Sequence, residues 1–216
     1  MLEQYYNKET NTLTLPYDFN KELYNLPLDT KVIIFEEDYT KKQYSKFNQP
    51  VNNLPNLITH LTVGVFFNQP VENLPNLITH LTFGYYFNQP VNNLPNSITH
   101  LTFQYDSKFN QAVDNLPNSI THLIFGSHFN QPVDNLPNSI THLTFGYYYD
   151  KQLDNLPNSI THLTFGYYFN KQLDNLPLFL QQIKFYCDSD KILSITKKVP
   201  FGCKILNIDN KEVFLQ

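Results

Sequence analysis

The sequence predicts a mainly β fold: a parallel β-solenoid of about ten rungs, each roughly 20–23 residues long, with little helix and low curvature. Three observations predict it. The Leu-Pro dipeptide recurs at Pro55, Pro75, Pro95, Pro117, Pro137, Pro157 and Pro177, at intervals of 20 residues with one interval of 22. Each unit also carries a strand-like string, commonly ITHLTF, in which apolar positions 4 and 6 flank a polar one. Finally, proline at Leu-Pro and Gln-Pro bars both a long helix and an unbroken second sheet from the rest of the unit. A period of 20 lies at the short end of the leucine-rich-repeat range.

From the N-terminus, Met1 to Asn11 is the candidate cap. Leu13 and Leu15 sit 20 residues before Ile33 and Phe35, so a strand opens the solenoid. Residues 1–18 are thus read as cap and first strand, 19–185 as the repeat array, and 186–216 as a degenerate last rung with a C-terminal cap. Phe19-Asn20 to Leu26-Pro27 and Thr30 to Phe35 are weak copies of the unit's two halves. Two insertions break the register: eight extra residues within Glu36 to Lys46, and two within Gln104 to Lys108. Such insertions bulge from one coil and leave its neighbours in register. In a regular unit, Leu101 and Phe103 point inward while His100 and Thr102 point outward. Phe87, Val91 and Leu94 point inward from the turns. Near the end, Leu180, Ile183 and Phe185 keep the spacing. The segment VPFGCKILNI, laid on LPNSITHLTF, places Cys203, Leu206 and Ile208 inward. IDNKEVF is expected to fold a hairpin over that rung. A single unit cannot bury its own apolar face, so only stacking offsets the entropy of ordering its backbone.

Composition excludes several functions. The net charge is −4 and there is no arginine, so the surface lacks the guanidinium forks that read nucleic acid. Cys187 and Cys203 make no disulfide framework. The N-terminal residues lack the basic and apolar regions of a signal peptide, and no apolar run reaches membrane-spanning length. A cytoplasmic protein without membrane contact is expected. Motifs for nucleotide binding, zinc proteolysis and serine hydrolysis are absent from the sequence. The Ser97 position recurs in four repeats and the His100 position in six, which is what a structural ladder produces. Catalysis would need an irregular, non-repeated cluster instead. No enzyme, cofactor or metal is expected.

The candidate functional residues are the outward ones. His60, His80, His100, His122, His142 and His162 form a file whose imidazoles, stacked in register, should lie about 5 Å apart. Neighbouring imidazolium charges repel, so the file should titrate broadly, centred below about 6.5. A ladder diverges, whereas metal ligands converge. Beside it runs Thr62, Thr82, Thr102, Thr144 and Thr164, broken by Ile124, and read as strand-favouring residues. After the glycines come the aromatic pairs Val65-Phe66, Tyr85-Tyr86, Tyr147-Tyr148 and Tyr167-Tyr168, with one member of each facing outward. Tyrosine offers large contact area at low entropic cost, which suits an interface. One of two asparagine files is expected to point inward and satisfy turn backbone: that of Asn48, Asn68, Asn88, Asn110, Asn130 and Asn170, or that of Asn53, Asn73, Asn93, Asn115, Asn135, Asn155 and Asn175. The repeat glycines are expected to supply a backbone conformation that side chains hinder. Cys203 is read as a small core residue and Cys187 as a turn residue.

The strings FNQPVNNLP and SITHLTFG resemble the FNIP (IP22) repeat, a leucine-rich-repeat relative expanded in social amoebae and in giant DNA viruses of amoebae. The resemblance spans about residues 19–185. It implies a right-handed solenoid with a binding role, located in the host cytoplasm if the source is viral. Some family members carry an N-terminal F-box, and about 18 residues precede the first FN motif here, too few for one. The expected function is a non-catalytic scaffold. It presents the histidine face and tyrosine rim to an unidentified protein, such as a host protein. The rival expectation is a structural solenoid that self-assembles, for example as a homodimer.

Overall fold

The computed structural model describes residues 2–215. Its backbone follows the repeat. A 3-10 turn (Glu3–Tyr5) leads into β1 (Tyr6–Asn7) and β2 (Thr12–Leu15). One strand per unit follows: β3 (Val32–Phe35), β4 (His60–Thr62), β5 (His80–Phe83), β6 (His100–Phe103), β7 (His122–Ile124), β8 (His142–Thr144), β9 (His162–Phe165) and β10 (Gln182–Phe185). A short helix α1 (Ser189–Ile195) precedes β11 (Lys204–Leu206). All eleven strands form one sheet in sequence order, parallel from β2 to β11, which makes a β-solenoid of ten coils. Only β1 runs antiparallel, closing the first edge against β2 through Tyr6–Leu13 and Asn7–Thr12 pairing.

Register confirms the sequence spacing over most of the chain. Leu13 aligns with Ile33 and Leu15 with Phe35; His80, Leu81, Thr82 and Phe83 align with His100, Leu101, Thr102 and Phe103. Each regular coil buries six apolar side chains, as Ile78, Leu81, Phe83, Phe87, Val91 and Leu94 show. Stacked coils thread these into continuous files. Phe83 and Phe103 lie 5.5 Å apart along one file, and Phe67 and Phe87 lie 6.1 Å apart along the next. Within a coil the two files touch, with Phe83 stacked on Phe87 at 3.7 Å.

The glycines act differently from expectation. None of the five repeat glycines has a positive φ. Instead, a Cβ on Gly84 would lie 2.2 Å from the Gly64 carbonyl oxygen, and one on Gly146 would lie 2.1 Å from that of Gly126. Close approach of consecutive coils demands glycine here, and chain conformation does not.

The last rung corrects the sequence alignment by one residue. Gln182, Ile183 and Lys184 pair with Lys204, Ile205 and Leu206. Ile205 is therefore the buried residue, while Leu206 is half-buried and Ile208 is exposed. A slip of one position exchanges the two faces of a strand. The cysteines also exchange places: Cys187 is buried, and Cys203 is half-exposed. Cys187 follows Phe185 and Tyr186 where the path bends into α1, and its side chain joins the core. Helix α1 replaces the usual turns of that coil. Asp188 caps it by accepting from the Lys191 backbone N–H at 3.0 Å, and Ile192 and Ile195 are buried. The expected terminal hairpin is present, with Leu206 bridging Glu212 and the Val213 N–H donating to the Ile205 carbonyl at 2.8 Å.

Candidate functional site

The strand pattern places six histidines in one unbroken row. His60 pairs with His80, His80 with His100, His100 with His122, His122 with His142 and His142 with His162. Their rings stack at 4.2–4.4 Å between centroids and within 6–12° of parallel. That is closer than the strand spacing of about 4.8 Å. Val32 and Gln182 occupy the same position in the flanking coils and end the row.

A second file holds the rings, and the sequence reading missed it. The threonine preceding each histidine places its Oγ1 2.9–3.0 Å from that ring's Nδ1, at Thr59, Thr79, Thr99, Thr121, Thr141 and Thr161. The same hydroxyls lie 3.2 Å from the carbonyl oxygen of the preceding coil. That oxygen already accepts two backbone N–H groups: the Thr59 carbonyl takes those of Thr79 at 2.8 Å and His80 at 3.1 Å. The threonine hydroxyl donates its one proton to the same oxygen, so its own oxygen is left to accept from Nδ1–H, and the neutral ring leaves Nε2 unprotonated. Among the described residues no protein group bonds Nε2, so the surface presents a row of acceptor nitrogens. The signal was the invariant Thr-His dipeptide of every unit from Thr59 to His162.

Burial sets the electrostatics. The imidazoles of His80, His122 and His142 are held below their ordinary 6.5, first by partial burial and then by the charges of neighbouring histidines. The sequence reading had named repulsion alone. The threonines of the neighbouring file are half-buried, and Ile124 is exposed among them.

The tyrosines divide into two patches rather than one rim. In each pair the second residue is exposed, as Phe66, Tyr86, Tyr148 and Tyr168 show, and Tyr167 is exposed as well. Tyr147, Tyr148, Tyr167 and Tyr168 form one cluster, with Tyr147 on Tyr167 at 5.6 Å and Tyr148 on Tyr168 at 5.5 Å. Lys191 closes its end, lying 5.4 Å over the Tyr167 ring and donating to the Tyr167 carbonyl at 2.5 Å. Tyr85 and Tyr86 belong to a second cluster with Phe66. Ser107, Lys108, Ser127 and His128 separate the two patches along the stack.

Neither asparagine file is buried. The Phe-Asn file is the structural one: from Asn48 to Asn130 each Asn Oδ1 accepts the backbone N–H of the same position one coil on, as Asn68 does from Asn88 and Asn110 from Asn130, both at 2.9 Å. Asp150 continues the series, accepting from Asn170 at 3.2 Å and pairing with Lys171 at 3.1 Å. The asparagines before Leu-Pro are exposed from Asn53 to Asn175. Among the described residues, no group of three or more His, Cys, Asp and Glu side chains is placed to hold a metal ion. No helix among them is long and apolar enough to cross a membrane.

Comparison with known proteins agrees with this architecture. The solved structure of CroV588, described as a novel circular LRR protein structure, is 38% identical with a TM-score of 0.70. The match covers 91% of this chain and 33% of CroV588, so the chain spans about a third of that protein's length. Among curated proteins none matches significantly. The FNIP Repeat family profile matches residues 67–106, 109–148, 132–155 and 149–188, together more than half of the chain. The asparagine, glycine and histidine ladders all fall within or beside those spans. This chain belongs to the FNIP repeat family.

Proposed function

We propose that the protein is a non-catalytic scaffold that binds another protein through its sheet face. The carrying observation is the row of six stacked imidazoles, each held by a threonine at Nδ1, which turns Nε2 toward the solvent. A row of acceptor Nε2 atoms at one spacing complements N–H or hydroxyl donors on an extended partner segment. Such a face is preorganised, so little rotamer entropy is lost on binding. The tyrosine patch at residues 147–168 adds apolar area of the kind that anchors protein interfaces. Solenoid repeats of this family are typically non-catalytic. Of the two sources the family resemblance allows, social amoebae and giant viruses of amoebae, a viral one would make the partner a host protein met in the cytoplasm.

A pull-down from amoebal cytosol tests this reading. It compares the wild type with a folded variant carrying His100→Asp, His142→Asp, Tyr147→Ser and Tyr167→Ser. A partner held by the wild type and lost by the variant supports the sheet face. A partner held equally by both moves the interface elsewhere.

A second reading is favoured by one observation: Phe201, Phe214, Leu178 and Phe179 are all strongly exposed toward the C-terminal end of the stack. Such residues suit contact between copies. A molecular mass that rises with concentration in light scattering supports self-assembly, and a constant monomer mass overturns it.

A further inference from the structure

The two segments that break the repeat converge on one place. Both Glu36–Lys46 and Gln104–Lys108 leave the coil between the last Phe of a strand and the buried Phe of the turn, at Phe35 and Phe47 in one case and Phe103 and Phe109 in the other. They therefore flank the two regular coils between them, whose turns carry Val65-Phe66 and Tyr85-Tyr86. The hydroxyl of Tyr39 reaches Gln104 Oε1 at 3.3 Å across 65 residues of sequence, and also donates to Glu37 at 2.8 Å. Glu37 in turn accepts the Val65 N–H at 2.6 Å, which pins the first insertion to the next coil.

Between the insertions lies an open cleft of about 620 Å³, walled by Tyr39, Tyr44, Phe66, Tyr85, Tyr86 and Tyr105. Its rings meet edge-to-face at Tyr39–Tyr44 (5.6 Å) and Tyr85–Tyr86 (4.7 Å), and Phe66 stacks on Tyr86 at 5.2 Å. Asp106 also lines it, exposed, and among the described residues its carboxylate pairs with no cation. The chain itself shows what these rings attract: Lys108 Nζ lies 5.0 Å from the Tyr85 ring and 4.8 Å from that of Tyr86. Three strand spacings separate the insertions, about 14 Å, which admits one extended peptide segment.

We propose that this cleft receives a lysine side chain, free or methylated, from a partner protein. Tyrosine faces attract an ammonium through the ring quadrupole, and Asp106 supplies the opposing charge. Among the described residues no positive side chain lines the cleft, and Lys108 stands only at its edge. The lining groups otherwise comprise hydroxyls, the Gln104 amide and aliphatic Val65, a set suited to holding a cation rather than to bond-breaking chemistry. The site is separate from the histidine row and does not depend on it.

The test uses the full chain and two blocked tripeptides, titrated by NMR. One carries trimethyllysine between glycines, and the other its neutral isostere with carbon in place of the nitrogen. The charged peptide is expected to bind about fivefold more tightly than the neutral one. Asp106→Asn and Tyr105→Ala, both at exposed side chains, should each weaken it by about three- to tenfold. Lys108→Ala should tighten it, because a competing cation leaves the same rings. Equal binding of the two tripeptides, or no binding at millimolar concentration, would overturn the proposal even without any variant. Phosphocholine binding more tightly than the trimethyllysine peptide would overturn the protein source and point to a lipid headgroup.

Discussion

The Thr99 hydroxyl lies 2.9 Å from His100 Nδ1, and this contact fixes which nitrogen of the ring faces the solvent. The five equivalent pairs repeat it, so the face is defined by Thr-His dipeptides rather than by histidine alone. In ¹⁵N spectra at neutral pH, His100 should show the Nδ1–H tautomer. Thr99→Val should shift it toward the Nε2–H form, because Nδ1–H loses its acceptor.

The same file makes stability depend on pH. The folded-state values of His80, His122 and His142 lie below 6.5, so the unfolded chain binds protons more readily than the folded one. Their contribution is fully present above about pH 6.5 and is lost as pH falls through the folded values. The charges acting on these rings are those of the neighbouring histidines, which add to the effect of burial. The urea midpoint should therefore fall between pH 7.5 and 5.5, and His122→Gln should flatten that fall. An unchanged midpoint across this range would contradict the burial argument.

Close approach of coils gives a sharper prediction at glycine. A Cβ on Gly146 would sit 2.1 Å from the Gly126 carbonyl oxygen, which is backbone and cannot turn aside. Gly146→Ala should destabilise by about 3 kcal/mol or more, as overpacking against a rigid neighbour does. Gly202 is the contrast: its φ is +78° with open space around it, so Gly202→Ala should cost only about 1–2 kcal/mol. Chemical denaturation of the two variants separates these causes.

Which features were legible in the sequence follows from periodicity. Leu101 and Phe103 were assigned inward because alternation within a strand and recurrence every 20 residues agree. The last rung was misplaced because VPFGCKILNI offers apolar residues at both parities, so one slip in register leaves a plausible face. Helix α1 was missed because SDKILSI is too short to show a helical period. The aromatic cleft was illegible for another reason. Tyr39 and Gln104 are 65 residues apart, and only the closure of four coils brings two unrelated insertions together.

The two asparagine files, indistinguishable by recurrence, should separate by mutation. Asn110 Oδ1 accepts the Asn130 N–H at 2.9 Å, so Asn110→Ala strands a backbone donor between coils. A loss of about 1–2 kcal/mol is expected. Asn115 is exposed, and Asn115→Ala should stay within about 0.5 kcal/mol of the wild type. Paired urea unfolding curves measure both, and equal losses would show that the Asn110 bond contributes nothing specific.

Tyr149 carries the last prediction, because it places a hydroxyl where the other coils have phenylalanine. It continues the file of Phe109, Phe129 and Phe169, is fully buried, and stacks on Phe129 at 6.0 Å and on Phe145 at 3.9 Å. Its hydroxyl has no hydrogen-bond partner among the described residues. Burial pushes its proton affinity well above the ordinary phenol range, with Asp134 adding to the effect. A buried polar group without a partner costs about 1–3 kcal/mol, and the ring alone supplies the packing. Tyr149→Phe should therefore raise stability by about 1 kcal/mol. If the urea midpoint falls instead, the hydroxyl is bonded in solution, most simply by a buried water, and the position is a polar site within the core rather than a tolerated flaw.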